Sequence, residues 1–141
     1  MENNLEEGLE CEIDFNKLKK VYNKIFKKGI FVLPVAVQDA KTRKFLMGAY
    51  ANNEALEKSL KTKKAVFWST SRNELWIKGE SSGNLLDLIE VRINCEQNYL
   101  LYLVIPQKDG RACHTKDKNN NFRKSCFYRR VKNINKLEFI G

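Results

Sequence analysis

Apolar residues recur at helical spacing over residues 13–26, where Phe15, Leu18, Val21, Tyr22 and Ile25 share one face and Asp14 stands where an N-cap would. Lys27, Lys28 and Gly29 then read as the basic end and glycine stop of that helix. From residue 30 to 37 the pattern changes to consecutive apolar and β-branched positions, predicting a strand with Pro34 at an edge or near its start. Residues 38–43 are turn-like, and 44–51 read as the returning arm of a hairpin. A second helix is expected over 54–61, capped by Asn52 or Asn53, with Ala55, Leu56 and Leu60 on one face. Residues 65–69 form a short strand. Alternation over 85–95 predicts a long one, with Leu86, Leu88, Glu90, Arg92 and Asn94 facing one way and Asp87, Ile89, Val91, Ile93 and Cys95 the other. A further strand is expected over 99–105, followed by a turn over 106–110. These elements predict a single α+β domain built on an antiparallel sheet with a few short helices.

The chain has 141 residues, enough for one domain with a real core. Its sequence contains no run of about twenty apolar residues, so no membrane partner is expected. The first ten residues are acidic where a signal peptide would be basic and then apolar, which predicts a cytoplasmic location. In that setting the four cysteines read as thiols or metal ligands rather than disulfides. A formal net charge of +9 favours an anionic partner, either a phosphorylated metabolite or a nucleic acid, although a lysine-rich solvated surface is the bland alternative.

The candidate chemistry concentrates between Ala112 and Arg129, where Cys113, the only histidine, His114, and Cys126 occur together. Cys95 adds a third thiol, flanked by Asn94, Glu96 and Asn98. Three thiolates suffice to hold zinc with one position open for water, whose pKa such a site brings to roughly 7. A closed structural site would take a fourth ligand, for which Cys11 and His114 are candidates, though Cys11 reads more readily as a free thiol. The spacing is not the C-x-x-C of a zinc finger. Upstream, Ser69, Ser71, Arg72, Lys78, Ser81, Ser82 and Gly83 supply hydroxyls, cations and a flexible backbone, which suits either a phosphate cradle or a serine-rich hairpin turn. They match neither a Walker loop nor a dinucleotide fingerprint. Trp68 and Trp76 are candidates for stacking on a base, or for the core or its rim.

Several short motifs occur in one order: Val37-Gln38-Asp39-Ala40, Leu46-Met47, Asn53-Glu54-Ala55-Leu56, Phe67-Trp68-Ser69 with Ser71-Arg72, and Leu75-Trp76 with Lys78-Gly79-Glu80 and Ser82-Gly83. Ala112-Cys113-His114-Thr115 and Ser125-Cys126-Phe127-Tyr128-Arg129 complete the series. With these the chain resembles the phosphoribosyl-AMP cyclohydrolases of histidine biosynthesis from Leu33 to Arg129. The resemblance implies a zinc hydrolase acting on a phosphorylated nucleotide. It also implies an intertwined homodimer whose metal sites combine both subunits, and a use of magnesium as well. It divides the chain into an N-terminal helical segment, 1–29, and a cyclohydrolase-like domain, 30–141, with no fused pyrophosphohydrolase domain expected.

Carried over by position, Cys95, Cys113 and Cys126 correspond to the zinc ligands. Asn94, Glu96 and Asn98 stand where the family has the aspartates of an Asp-Cys-Asp-x-Asp magnesium motif. Two negative charges are lost there, and Mg²⁺ prefers carboxylate oxygen, so this exchange weakens the implied site. A second departure lengthens the segment between Cys113 and Cys126 by residues 118–122 and their neighbours, as a surface loop tolerates. The substrate would meet Trp68, Ser69, Ser71 and Arg72, together with Lys78, Glu80, Ser81, Ser82 and Gly83. The implied reaction is attack of water at C6 of the adenine ring and cleavage of the N1–C6 bond, with His114 as the proton shuttle. Two other readings stand beside it: a relative acting on another purine nucleotide, and, less favoured, a zinc-stabilised nucleic-acid-binding module.

Overall fold

The two most continuous apolar runs, 33–39 and 100–106, lie side by side at the centre of a four-stranded sheet, because only strands buried on both faces tolerate such runs. A computed structural model describes residues 4–140. In chain order its elements are α1 (Asn4–Glu7), α2 (Lys17–Phe26), β1 (Leu33–Asp39), β2 (Phe45–Ala51), α3 (Asn53–Thr62), β3 (Val66–Ser69), β4 (Glu74–Ile77), β5 (Leu86–Ile93), β6 (Leu100–Pro106), β7 (Arg129–Asn133) and β8 (Lys136–Phe139). The main sheet has the order β2-β1-β6-β5; β3-β4 and β7-β8 are separate hairpins. The domain is α+β, but its sheet is mixed, since β1 and β6 run parallel from Val35↔Leu100 to Asp39↔Val104. That corrects the antiparallel expectation. The β1-β2 and β5-β6 hairpins are each antiparallel, and they join through their most apolar strands, β1 and β6, which run in the same direction.

Pro34 is accommodated inside this central strand because pairing with β6 begins one residue later, at Val35. The expected alternation along β5 breaks at a bulge between Leu88 and Glu90. Leu86 and Leu88 face the core before it and Val91 packs there after it, while Ile89 and Ile93 are exposed. In α3, Asn52 is the N-cap, its side chain accepting the Ala55 N–H at 2.9 Å. Ser59, not Leu60, joins Ala55 on the buried face. Its hydroxyl lies 2.8 Å from Ala55 O and accepts the Val66 N–H at 2.9 Å, so the polar atom is satisfied inside the core.

Around this frame pack Phe67 and Tyr102, whose rings stack with centroids 5.4 Å apart. The β3-β4 hairpin packs on β2 and α3 and carries Trp76 against Phe67 at 5.6 Å. By contrast α2 starts at Lys17 rather than residue 13. Asp14 accepts the Asn16 N–H and pairs with Lys20 instead of capping the helix. Only Ile25 of this helix is buried; Leu18, Tyr22 and Phe26, with Phe15 and Phe31 beside it, keep their apolar surface exposed. No described helix is long and apolar enough to cross a membrane.

Candidate active site

Two turns build the site. The first follows β4, where Gly79 takes φ +85 and a Cβ on it would lie 2.2 Å from the carbonyl carbon of Asn84. No other residue fits that approach, so Gly79 lets Lys78 to Ser82 fold back as one wall of a cleft. The second is the segment from Ala112 to Cys126. Ala112 and Cys113 donate their N–H groups to Lys124 and Arg123 carbonyls, and Arg123 donates back to Thr115, so the segment doubles on itself. The five-residue lengthening lies at the tip. There Asp117 accepts the N–H groups of Asn119 and Asn121, closing a tight turn that leaves the two thiols as neighbours. Cys126 is tied to β2 through its N–H to Leu46 O at 2.7 Å, and Ser125 is tied there by its hydroxyl to Phe45 O at 2.6 Å.

Together these turns enclose a cleft of about 360 Å³. His114, Cys126, Lys78 and Arg72 line it with Glu80, Ser81 and Ser82. Cys113 sits behind this wall, 2% exposed, with Thr115 Oγ1 3.0 Å from its sulfur. A hydrogen bond from Cys126 draws the Cys113 thiol down to about 5 against the cost of burial, and Thr115 and His114 add to the effect. The same bond, with burial, raises Cys126. The pair therefore shares one proton. Lys78 is 4% exposed and makes no ion pair with a carboxylate among the described residues. Burial lowers its ammonium pKa, while the neighbouring Cys126 and Cys113 sulfurs pull it back up.

Not every candidate joins this cleft. Trp68, Ser69, Ser71 and Gly83 do not line it. Ser69 and Ser71 hydrogen-bond within the β3-β4 turn, with 3.3 Å between their hydroxyls, and the Trp68 indole N–H is buried without a partner. Cys95 is exposed just beyond the end of β5, and among the described residues no three His, Cys, Asp or Glu side chains gather as a metal cluster. Cys11 is half-buried, its N–H bonded to Asn135 O at 2.9 Å. Around Cys95 the side chains satisfy one another. Asn94 Oδ1 accepts the N–H groups of Asn98 and Tyr99, Asn98 Oδ1 accepts from Asn94 Nδ2, and Glu96 accepts from Asn98 Nδ2.

Sequence reasoning missed Met47 and Glu74 in the cleft, the second of which pairs with Arg72 at 3.4 Å. It also missed Glu6, 3.0 Å from His114 Nε2 and 108 residues away from it in the chain. Thr115 was legible only as part of the Cys-His-Thr motif.

A family model described as phosphoribosyl-AMP cyclohydrolase matches residues 47–128. A phosphoribosyl-AMP cyclohydrolase of Archaeoglobus fulgidus is 50% identical over 104 residues, covering 74% of this chain and 87% of that protein. One of Nitrosopumilus maritimus is 43% identical over 107 residues, covering 76% and 92%. A histidine biosynthesis bifunctional protein of Aquifex aeolicus is 44% identical over 107 residues, covering 76% of this chain and 48% of that protein.

Proposed function

Because the chain belongs to the phosphoribosyl-AMP cyclohydrolase family, we propose that it opens the adenine six-membered ring of phosphoribosyl-AMP by zinc-dependent hydrolysis, as a step of histidine biosynthesis. The observation that carries this reading is the proton-sharing pair of Cys126, in the wall of a cleft that also holds His114, Lys78 and Arg72, and Cys113 just behind it. A thiol pair of which one member ionises readily is a fitting donor set for zinc, which binds thiolate. The chemistry zinc supplies there is a water acidified to a pKa of roughly 7, a suitable nucleophile at neutral pH.

The third thiolate is Cys95 of a second copy of the chain. In support, Cys95 is exposed, and Ile93 and Tyr99 beside it expose apolar surface suited to a homodimer contact. The remaining steps belong to side chains of the cleft. Arg72 and Lys78 offer cationic donors to the two phosphates, with Ser81 and Ser82 as neutral ones. Water adds at C6, the N1–C6 bond breaks, and His114 delivers the proton that the departing nitrogen needs.

Magnesium fits less well. At the Asn94–Asn98 turn, amide N–H groups already bond both asparagine oxygens and one oxygen of Glu96, which leaves a single carboxylate for a hard cation, so no step is assigned to that ion. The test is direct. Zinc-loaded protein should convert phosphoribosyl-AMP, followed by the absorbance change on ring opening, and chelation should abolish it. Absence of turnover would overturn the substrate assignment and favour another N1-substituted purine nucleotide, the reading that the altered Cys95 flank motivates.

A further inference from the structure

The residues from α1 to Cys11 lie outside the stretch that the family model matches, yet they run across the candidate site. Backbone carbonyls hold this strap down. Tyr128 donates its hydroxyl to Glu6 O at 2.7 Å, and Arg129 donates to Gly8 O at 2.7 Å and Leu5 O at 2.8 Å. Past α1, Leu137 donates to Leu9 O at 2.6 Å, which edges the strap along the β7-β8 hairpin, itself also outside the matched stretch. Two carboxylates project from this segment. Glu7 meets Arg123 at 3.3 Å, and Glu6 meets His114 Nε2 at 3.0 Å. Since the anchors are main-chain, the strap's course does not depend on either carboxylate.

An ionised carboxylate only accepts, so the Nε2 facing Glu6 carries a proton, and in the neutral ring Nδ1 is then the unprotonated nitrogen. His114 makes no other hydrogen bond among the described residues. We infer that Glu6 is a positioning residue: it fixes the tautomer and direction of the His114 ring, leaving Nδ1 to exchange the proton in ring opening. The inference rests on His114 acting as the shuttle proposed above. The contact is solvent-exposed, so it contributes little to stability and acts through orientation.

Two measurements on the zinc-loaded protein test this. The first is steady-state turnover of phosphoribosyl-AMP with zinc content measured in parallel. Glu6→Gln should lower kcat about tenfold with KM and bound zinc unchanged, a part of the roughly 10²–10⁴-fold that a positioned proton-transfer group contributes. Glu6→Asp should recover part of the loss, and Glu7→Gln should stay within about twofold of the unsubstituted protein. An unchanged kcat, a raised kcat, or zinc lost together with activity in Glu6→Gln would each overturn the inference. The second measurement needs no turnover. His114 is the only histidine, so its ring ¹⁵N signals stand alone. They should show the Nε2–H tautomer, with Glu6→Gln shifting the ring towards the other tautomer. A ring pattern indifferent to Glu6→Gln, or one showing a metal-bound nitrogen, would overturn the inference even if phosphoribosyl-AMP proves not to be the substrate.

Discussion

The Cys113–Cys126 pair and the Asn94–Asn98 turn are the two regions where the sequence leads us to expect metal, and they are built in opposite ways. Cys113 is buried and tied by its backbone to Arg123, Cys126 is tied to β2, and the two sulfurs compete for one proton beside Lys78, which meets no carboxylate among the described residues. One negative charge shared by two sulfurs lies there beside a buried ammonium. The Asn94–Asn98 turn is exposed and its side chains bond one another, with Asn94 Oδ1, Asn98 Oδ1 and one oxygen of Glu96 each accepting a nearby N–H. Exchanging carboxylate for carboxamide swaps mutual repulsion for mutual hydrogen bonding, so the turn closes without an ion. Oxygen-bearing side chains at a suitable spacing can thus satisfy one another, whereas the two thiols are held close by anchors elsewhere in the fold.

The largest effect that would break this contrast is expected at Cys113. Cys113→Ser should remove zinc and lower turnover by at least about a hundredfold, whereas Cys11→Ser should change neither. Full zinc retention in Cys113→Ser would put the metal elsewhere. Next in size is complementation between subunits. Cys95→Ser and Cys126→Ser proteins, each inactive alone, should regain up to one working site per heterodimer when mixed under exchange conditions. Mixing restores nothing if one subunit supplies all three thiols.

A smaller effect concerns protonation. With its pKa held at about 5, Cys113 is ionised at neutral pH even without metal. The chelated protein should show thiolate absorbance at pH 7 that fades only as the pH falls through about 5. Absorbance lost already near the ordinary thiol range would mean the two sulfurs do not share a proton. Smallest is the change at the turn. Asn94→Asp together with Asn98→Asp should set three carboxylates at the turn and give it magnesium binding, read by titration, that the native turn lacks, while Glu96→Gln in the native turn should alter turnover by less than about twofold. A large loss in Glu96→Gln would show that this turn holds a working ion after all.

Legibility in the sequence followed locality. The β1-β2 hairpin, the strands β5 and β6, a cap at Asn52 or its neighbour and the Gly29 stop were all readable, since each depends on residues a few positions apart. The cap of α2 was misplaced because Asp14 spends its carboxylate on the Asn16 N–H and on Lys20, a choice that propensity does not distinguish from capping. The β5 face assignment failed at the bulge near Ile89, which one strand's alternation cannot reveal because a bulge is a property of the pair. The β7-β8 hairpin was not read at all. Its strands are short, largely exposed and rich in lysine and asparagine, so burial left no pattern in them.

By itself the sequence determined which side chains are candidates for the chemistry, through Cys113-His114-Thr115, Ser125-Cys126 and Lys78-Gly79, and it determined many of the short-range elements that present them. Only the tertiary structure decided which of those groups meet. It set β1 beside β6 in parallel, closed the lengthened segment so that Cys113 reaches Cys126, left Cys95 at the far end of β5, and laid Glu6 on His114. The physical reason is range. Turn and helix preferences act over a few residues, whereas strand partnership and contacts between residues 108 positions apart depend on which apolar faces bury one another, a choice the whole chain makes together.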